Sequence, residues 1–351
     1  MKPRVLLIRA DATAKIGMGH VMRCLALAQA WQDRGGEVRL ASAALPSSLQ
    51  ERLEGEGIIV SRMGHPPGSF ADASFTRNLA LELGSNCLVV DGRVFQRSYF
   101  ERTWNAELEV AAIDDGGTRA FWPVGIIINP NYGAHENQYP RMDSSARLLL
   151  GPCYTPLRRE FCHQSGNGAR TRKDRYRVMI SFGGGQAFEK LSGALRAFEG
   201  LGEGRLKTVA LLGQTETDMG SGQRLAQDFK WAEIAAHGVD VPKLMREAVI
   251  AVVAGGGLLW ELLSQGVAVV SFSVNATQHK ILGRMARDGI IRYLGPWERE
   301  LSSEARAQVQ DLLENPAMLA RMTSLAKGVV DSKGARRVVR VLRGEVKERR
   351  D

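Results

Sequence analysis

Hydrophobic residues in the first half of the chain fall into short uninterrupted runs that alternate with helix-like segments. The runs predict five strands, at RVLLIR (4–9), EVRLAS (37–42), CLVVD (87–91), LEVAAID (108–114) and GIIIN (125–129). After the first run, apolar residues recur at the spacing of one helix face, at Val21, Cys24, Leu25, Ala28 and Trp31. Strands that are apolar throughout are typical of a parallel sheet covered on both faces. The pattern therefore predicts a doubly wound, Rossmann-like α/β domain.

The same alternation starts again after a polar, Gly- and Ser-containing segment, HQSGNGARTRKDR (163–175). Four further runs predict strands, at YRVMISF (176–182), KTVALLG (207–213), VIAVVAGGG (249–257) and VAVVSFS (267–273). From Ser302 onward the pattern is helical. We expect two α/β domains, residues 1–160 and 161–335, followed by a basic helix or tail at 336–351. Paired domains of this kind commonly bind a ligand in the cleft between them, at the carboxyl ends of the strands.

Composition excludes several classes of protein. Of the 351 residues, 44% are hydrophobic and 24% charged, which is ordinary for a globular chain. No run approaches the roughly 20 apolar residues of a membrane helix, and the first run is too short for a signal peptide, so we expect a cytoplasmic protein. The sequence has no CxxC, no HExxH and no close His/Cys/Asp cluster, and we therefore expect neither a metal nor a cofactor.

The formal net charge of +9 would suit an anionic partner, but a charge of this size does not by itself require any partner. Part of this charge lies in RRVVRVLRGEVKERRD (336–351). We interpret the segment as a solvated helix face, with weak contact to an anionic membrane surface as the alternative. The chain has no zinc-finger, helix-turn-helix or aromatic-rich RNA-binding pattern, so nucleic acid is not an expected partner. The sequence carries no indication of an oligomeric state.

One histidine lies in a glycine-rich turn after the first predicted strand, in IGMGHVMR (16–23). Gly17 and Gly19 allow backbone to approach a ligand closely, and Arg23 follows one helical turn later. The positive field of a helix N-terminus favours the neutral, base-competent form of His20. A packed or capping histidine is the alternative. The motif is neither a Walker A loop nor a complete dinucleotide fingerprint.

Two further glycine turns each follow an apolar strand and precede a helix, in SFGGGQ (181–186) and AGGGLLWELL (254–263). The glycines that could face a diphosphate are Gly183, Gly184, Gly185, Gly255, Gly256 and Gly257. Glu261, expected on the first turn of a helix beginning near Leu258, could accept hydrogen bonds from a ribose diol. The alternatives are that the glycines only form a tight turn and that Glu261 only complements the helix dipole. Together the turns favour a nucleoside-diphosphate ligand.

Polar residues also follow three predicted strands, in VVDGR (89–93), AAIDDGG (111–117) and IINPNYG (127–133). With the first strand, these ends supply five candidates for a small polar substrate: Asp11, Asp91, Arg93, Asp115 and Asn131. The alternative for each residue is a structural role in a turn, where Asp, Asn and Gly are common.

The ordered motifs resemble the PseG-like family of nucleotide-sugar hydrolases in pseudaminic acid biosynthesis, relatives of the MurG-type glycosyltransferases. The matching stretches are RADATAKIGMGHVMR, VVDGR, IDDGG, INPNYG, GPCYTPLRREF, AGGGLLWELLSQGV and DSKGARRVV. The resemblance implies a two-domain GT-B fold and hydrolysis of UDP-2,4-diacetamido-2,4,6-trideoxy-β-L-altropyranose, with inversion and without a metal. It implies that His20 is the base for water, that Gly255–Gly257 lie near the diphosphate, Glu261 on the ribose and Gln278 near the sugar.

Several positions depart from the family pattern. Arg93 replaces a tyrosine, Gly185-Gln186 replaces a hydroxyl and a carboxylate, and Gly257 replaces a hydroxyl. A lost hydrogen bond of about 0.5–1.5 kcal/mol alters substrate preference more readily than it abolishes binding. Two alternatives therefore stay open: a GT-B glycosyltransferase that uses a UDP-sugar donor and a hydroxyl acceptor, and a UDP-binding protein without turnover.

Overall fold

The computed structural model describes residues 4–13, 16–104, 107–116, 123–139, 146–162, 176–182, 187–201, 206–212, 216–235, 239–297 and 301–345. The chain divides into two compact units. The first unit contains Met1–Cys162 together with Ser332–Asp351, and the second contains His163–Asp331. Each has its own parallel sheet.

The first unit is built on a seven-stranded sheet. Its strands are β1 (Val5–Ala10), β2 (Glu37–Ser42), β3 (Ile59–Arg62), β4 (Cys87–Asp91), β5 (Glu109–Ile113), β6 (Ile126–Asn129) and β7 (Arg147–Leu150). The spatial order is β3-β2-β1-β4-β5-β6-β7, and all pairs are parallel. The order reverses between β1 and β4, where Ala10 is paired with Asp91. Crevices at the carboxyl ends of such a switch point are the usual ligand sites of open α/β sheets.

Helices cover both faces of this sheet. They are α1 (Gly19–Gln32), α2 (Ser47–Gly55), α3 (Phe70–Glu82), α4 (Arg97–Thr103), α5 (Arg159–Cys162) and, from the end of the chain, α13 (Gly334–Leu342). Because side chains alternate along a strand, Leu6 and Ile8 of β1 belong to the core that contains α1 and α13. Leu7 belongs to the opposite core, which contains residues of α3 and α4.

The second unit has a six-stranded parallel sheet in the order β10-β9-β8-β11-β12-β13. Its strands are β8 (Tyr176–Ser181), β9 (Leu206–Leu211), β10 (Glu233–Ala235), β11 (Ile250–Ala254), β12 (Ala268–Ser273) and β13 (Arg292–Pro296). Its helices are α6 (Ala187–Phe198), α7 (Glu216–Asp228), α8 (Val241–Glu247), α9 (Gly257–Ser264), α10 (Ala276–Arg287), α11 (Leu301–Glu314) and α12 (Pro316–Val329). The switch point of this sheet lies between β8 and β11.

The end of the chain differs from the expected division. We expected 332–335 in the second domain and 336–351 as a separate basic tail, but Ser332–Asp351 belongs to the first unit. The reason is apolar burial, because Val338, Val339 and Leu342 of α13 join the core of α1. Residues 346–351 of the expected tail lie outside the described residues.

Candidate functional site

The turn before α1 presents an open helix N-terminus. Gly17 has φ +81°, a left-handed conformation that glycine adopts at little steric cost, and its N–H donates to the Thr13 carbonyl at 2.8 Å. No side chain caps the first turn of α1. A Cβ added at Gly19 would meet no heavy atom of the described residues within 4 Å. The Ile16 and Gly17 amides are both bonded to Thr13, so the N–H groups that could face a ligand are those at the start of α1, from Gly19 onward.

Four predicted residues meet beside this turn: His20, Arg23, Asp91 and Asp115. Asp91 Oδ1 lies 2.7 Å from His20 Nδ1 and accepts from Arg23 Nη2 at 2.6 Å. Arg23 Nε donates to Asp91 Oδ2 at 2.5 Å, and Arg23 Nη1 donates to Asp115 Oδ1 at 2.6 Å. His20 and Arg23 are three residues apart on α1, so their side chains are neighbours on one helix face.

The charges in this cluster are fixed by mutual pairing. Burial alone would raise the pKa of the Asp91 carboxyl, but the Arg23 charge and contacts with His20 hold this pKa well below its usual range. The pKa of Asp115 is lowered, because Arg23 outweighs its burial. Burial disfavours the Arg23 cation, yet Asp115 and Asp91 raise its pKa well above the ordinary value. Two carboxylates thus share one guanidinium, leaving negative charge beside His20.

Asp91 also determines which nitrogen of His20 carries a proton. Nδ1 lies 2.7 Å from Asp91 Oδ1 and 3.1 Å from Arg23 Nη2. The carboxylate, which only accepts hydrogen bonds, is the nearer of the two, so we assign the hydrogen to Nδ1, where it is donated to Asp91. The lone pair of the neutral ring is then on Nε2. The His20 side chain is 15% exposed and the Asp91 side chain is inaccessible. This is the arrangement of a general base whose orientation is fixed by a buried carboxylate.

Asn131 and three unpredicted neighbours support the end of β5 and its following turn. Asn131 Nδ2 donates to the Asp115 carbonyl at 3.1 Å and to Asn129 Oδ1 at 3.1 Å. Asn129 donates to the Tyr139 hydroxyl, which itself donates to Asp114 Oδ2 at 2.8 Å. Asn131 therefore holds the backbone at Asp115 through its own amide. Tyr139 had no sequence signal, since it follows no strand and belongs to no motif.

Asp11 and Arg93 are placed differently from the other candidates. Asp11 is buried and contacts Arg9, with its Oδ1 2.7 Å from Arg9 Nη1, and it accepts from the Ala43 amide at 2.8 Å. Arg9 in turn forms a two-point ion pair with the buried Asp72, at 2.9 and 2.8 Å. These contacts tie β1 to the β2 end and to α3, so Asp11 has a structural role in the fold. Arg93 is exposed in the loop after β4.

In the second unit, the helix after the glycine turn begins at Gly257, one residue earlier than expected. The N-cap residue of α9 is Gly256, which has no side chain to cap the helix, and a Cβ at Gly256 or Gly257 would meet no heavy atom of the described residues within 4 Å. Gly255 is different, since its Cβ would lie 2.7 Å from Leu282 of α10. Glu261 is the fifth residue of α9, so it lies just beyond the first turn where it was expected.

Gln278 takes part in a helix cap. The cap is reciprocal: the side chain of Asn275, the N-cap of α10, accepts from the Gln278 backbone amide at 3.0 Å, and Gln278 Oε1 accepts from the Val274 amide at 2.9 Å. The first glycine turn of this unit, Gly183, Gly184 and Gly185 with Gln186, lies outside the described residues. Among the residues that are described, no group of three His, Cys, Asp or Glu side chains could hold a metal ion, and no helix is long and apolar enough to cross a membrane.

No known family profile matches this sequence, and no curated protein matches it. Solved structures do match. MurG from Acinetobacter baumannii gives a TM-score of 0.63 at 17% identity, over 97% of this chain and 100% of that one. The UDP-GlcNAc 2-epimerase from Neisseria meningitidis bound to UDP-GlcNAc gives 0.62 at 14%, over 97% and 100%. The spinosyn rhamnosyltransferase SpnG gives 0.64 at 17%, over 97% and 100%.

At such identities the similarity establishes the fold. The chain has two parallel-sheet α/β domains and the GT-B fold, so the expected fold class is confirmed. The similar structures include MurG, other glycosyltransferases and UDP-GlcNAc 2-epimerases.

Proposed function

We propose that this protein acts on a UDP-sugar and that His20 removes a proton from the nucleophile that attacks the anomeric carbon. One observation carries the proposal: Nδ1 of His20 is fixed by the buried Asp91 at 2.7 Å, which leaves the Nε2 lone pair as the base. Arg23 holds Asp91 from its other side and keeps it ionised. An imidazole fixed in this way suits an oxygen nucleophile.

The first candidate reaction is hydrolysis. Water gives a proton to His20 Nε2 while its oxygen attacks the anomeric carbon, and the bond from that carbon to the phosphate oxygen breaks. UDP leaves with the bonding electron pair, and the sugar is released with inverted configuration. Asp91 and the negative charge of its neighbourhood stabilise the imidazolium until the proton passes to solvent.

The second unit would hold the leaving UDP. The N-cap of α9 is Gly256, which has no side chain to cover the N–H groups of Gly257 and Leu258, and Gly256 and Gly257 leave room for phosphate oxygens. Such dipoles stabilise a departing diphosphate. Glu261 remains the candidate for the ribose. The resemblance to the PseG-like family makes an amino-trideoxy UDP-sugar the first substrate to test.

The second candidate is glycosyl transfer, in which His20 deprotonates an acceptor hydroxyl in place of water. Two observations favour it. Arg93 is exposed two residues after Asp91, where a cation suits an anionic acceptor. Solved structures of similar fold include MurG and a rhamnosyltransferase.

A donor panel separates these candidates. The protein is incubated in EDTA with UDP-sugars, including amino-trideoxy sugars, and the release of UDP and of reducing sugar is followed. Equal release of both without acceptor supports hydrolysis, whereas UDP release that requires an added hydroxyl acceptor supports transfer. UDP binding by calorimetry with no turnover of any donor, with or without acceptors, contradicts both.

A further inference from the structure

Three polar side chains form a chain of hydrogen bonds at the carboxyl end of β12, apart from the His20 cluster. Ser273, the buried last residue of β12, has its Oγ 2.7 Å from the hydroxyl of Tyr293 on β13. The same hydroxyl lies 2.6 Å from Nδ1 of His279, which is exposed near the start of α10. Neither the fold nor the proposed base accounts for this arrangement.

The proton positions in this chain follow from relative acceptor strength. Imidazole nitrogen is a better acceptor than a serine oxygen, so the Tyr293 hydroxyl donates to His279 Nδ1 and Ser273 donates to Tyr293. The hydrogen of the neutral ring must then be on Nε2. That atom has no hydrogen-bond partner within the described part of the chain. His279 consequently offers an N–H donor to solvent.

His279 lies one helical turn before the residue of α10 that packs against the glycine turn of α9. Leu282, three residues further along α10, lies where a Cβ on Gly255 would be 2.7 Å away. Residues three apart share one helix face. The Gly255 amide also donates to the Phe272 carbonyl at 3.1 Å, directly before Ser273.

Neither α9 nor α10 has an acidic residue in its first turn. The Gly256 amide donates to the Ala254 carbonyl at 2.8 Å. The donors that suit an anion at this sheet edge are therefore His279 Nε2 and the first N–H groups of α9, at Gly257 and Leu258.

We propose that His279, oriented by Tyr293 and Ser273, donates a hydrogen bond from Nε2 to a phosphoryl oxygen of a diphosphate bound at the α9 glycine turn. This proposal rests on the proposed function for its placement of UDP in the second unit. His279 supplies a hydrogen bond to the anion and transfers no proton.

The test uses the full chain labelled with ¹⁵N-histidine and titrated with inorganic pyrophosphate and with UDP. We expect a protonated Nε2 on His279 whose ¹⁵N shift changes on binding. His279→Leu should weaken pyrophosphate binding about tenfold, as expected for one hydrogen bond to a charged group. His279→Gln keeps a donor near that position and should stay within about threefold of the wild type. Tyr293→Phe should weaken binding to an intermediate degree and mix the two tautomers.

His65→Leu in the first unit is the matched control and should bind pyrophosphate as the wild type does. The proposal is overturned if wild type binds neither anion, if His279 Nε2 is unprotonated, or if His279→Leu binds both anions unchanged. Its failure is distinct from failure of the proposed function. Pyrophosphate binding that depends on His279, without turnover of any UDP-sugar, supports this site and contradicts the enzymatic activity.

Discussion

Each unit presents a histidine near the start of a helix that follows a central strand, and the two differ in what holds Nδ1. A carboxylate holds His20, and a phenol hydroxyl holds His279. The carboxylate accepts a hydrogen bond and leaves a lone pair on Nε2, whereas the hydroxyl donates one and leaves a hydrogen there. The residue behind the ring therefore decides whether the exposed nitrogen acts as a base or as a donor.

The largest effect should follow from removing the base of the first unit. We expect His20→Gln to lower kcat by about 10²- to 10⁴-fold, the usual contribution of a positioned general base, while UDP affinity stays near the wild-type value. Steady-state kinetics and calorimetry measure the two quantities. His65→Gln is the control and should retain kcat. A His20→Gln protein that turns over UDP-sugars at the wild-type rate would remove the proposed distinction between the histidines.

Arg23 tests how far the first site depends on charge pairing. Arg23→Met leaves Asp91 and Asp115 without their cation, and we expect the free energy of unfolding to fall by about 3 kcal/mol or more. Lys207→Met, which breaks an exposed ion pair with Glu233 in the second unit, should cost less than about 1 kcal/mol. Urea denaturation of both variants gives the comparison. Equal losses would contradict the special role of the buried cluster.

Acid should destabilise the first unit through the same carboxylates. Asp91 and Asp115 have lowered pKa values in the folded state, so the stability they contribute is present above the unfolded pKa of about 3.9 and is lost as pH falls below it. Asp115→Asn removes one such group. We expect its free energy of unfolding, measured in urea from pH 5 to pH 2.5, to decline less steeply than that of the wild type. An identical slope would show that Asp115 is not linked to folding.

The smallest expected effects distinguish the glycine turn before α1 from the glycine turn before α9. Gly255→Ala places a Cβ against Leu282 and should cost about 1–2 kcal/mol as overpacking. Gly19→Ala meets open space in a helix and should change stability by less than about 1 kcal/mol. Gly19→Ala should nevertheless slow turnover, because the added methyl occupies the space left for substrate. Thermal unfolding and kinetics measure both variants, and equal stability losses would contradict the difference in packing.

Sequence pattern predicted the interior of both sheets and missed their edges. All nine predicted strands are present, with bounds that match within three residues. The four missed strands, β3, β7, β10 and β13, are the outer strands of the two sheets. An outer strand has one neighbour and is less covered, so its residues need not be continuously apolar, and most residues of these strands are half-buried or exposed.

The polar residues at the strand ends predicted where the candidate site lies, but not which side chains contact each other there. His20, Arg23, Asp91 and Asp115 come together because β1, β4 and β5 are adjacent in the sheet. Local sequence did not show that Asp11 would pair with Arg9, or that Gln278 would form hydrogen bonds within the N-terminal turn of α10, since these contacts depend on distant or turn geometry. His279 belongs to no motif in the sequence. Its partner Tyr293 lies on an edge strand that the hydrophobic pattern did not predict, so the contact between the two could not be foreseen.

The packing of α13 against α1 constrains the order in which the chain can fold. Trp31 of α1 stacks with Arg343, and the Arg34 side chain pairs with Glu345. A Cβ at Gly334 would collide with the Thr155 backbone, so the start of α13 also packs closely against the segment that precedes α5. During synthesis, residues 163–331 leave the ribosome before these partners of α1 exist. The second unit, His163–Asp331, is contiguous and can fold before α13 is synthesised. The face of the first unit that α13 covers stays exposed until α13 has left the ribosome.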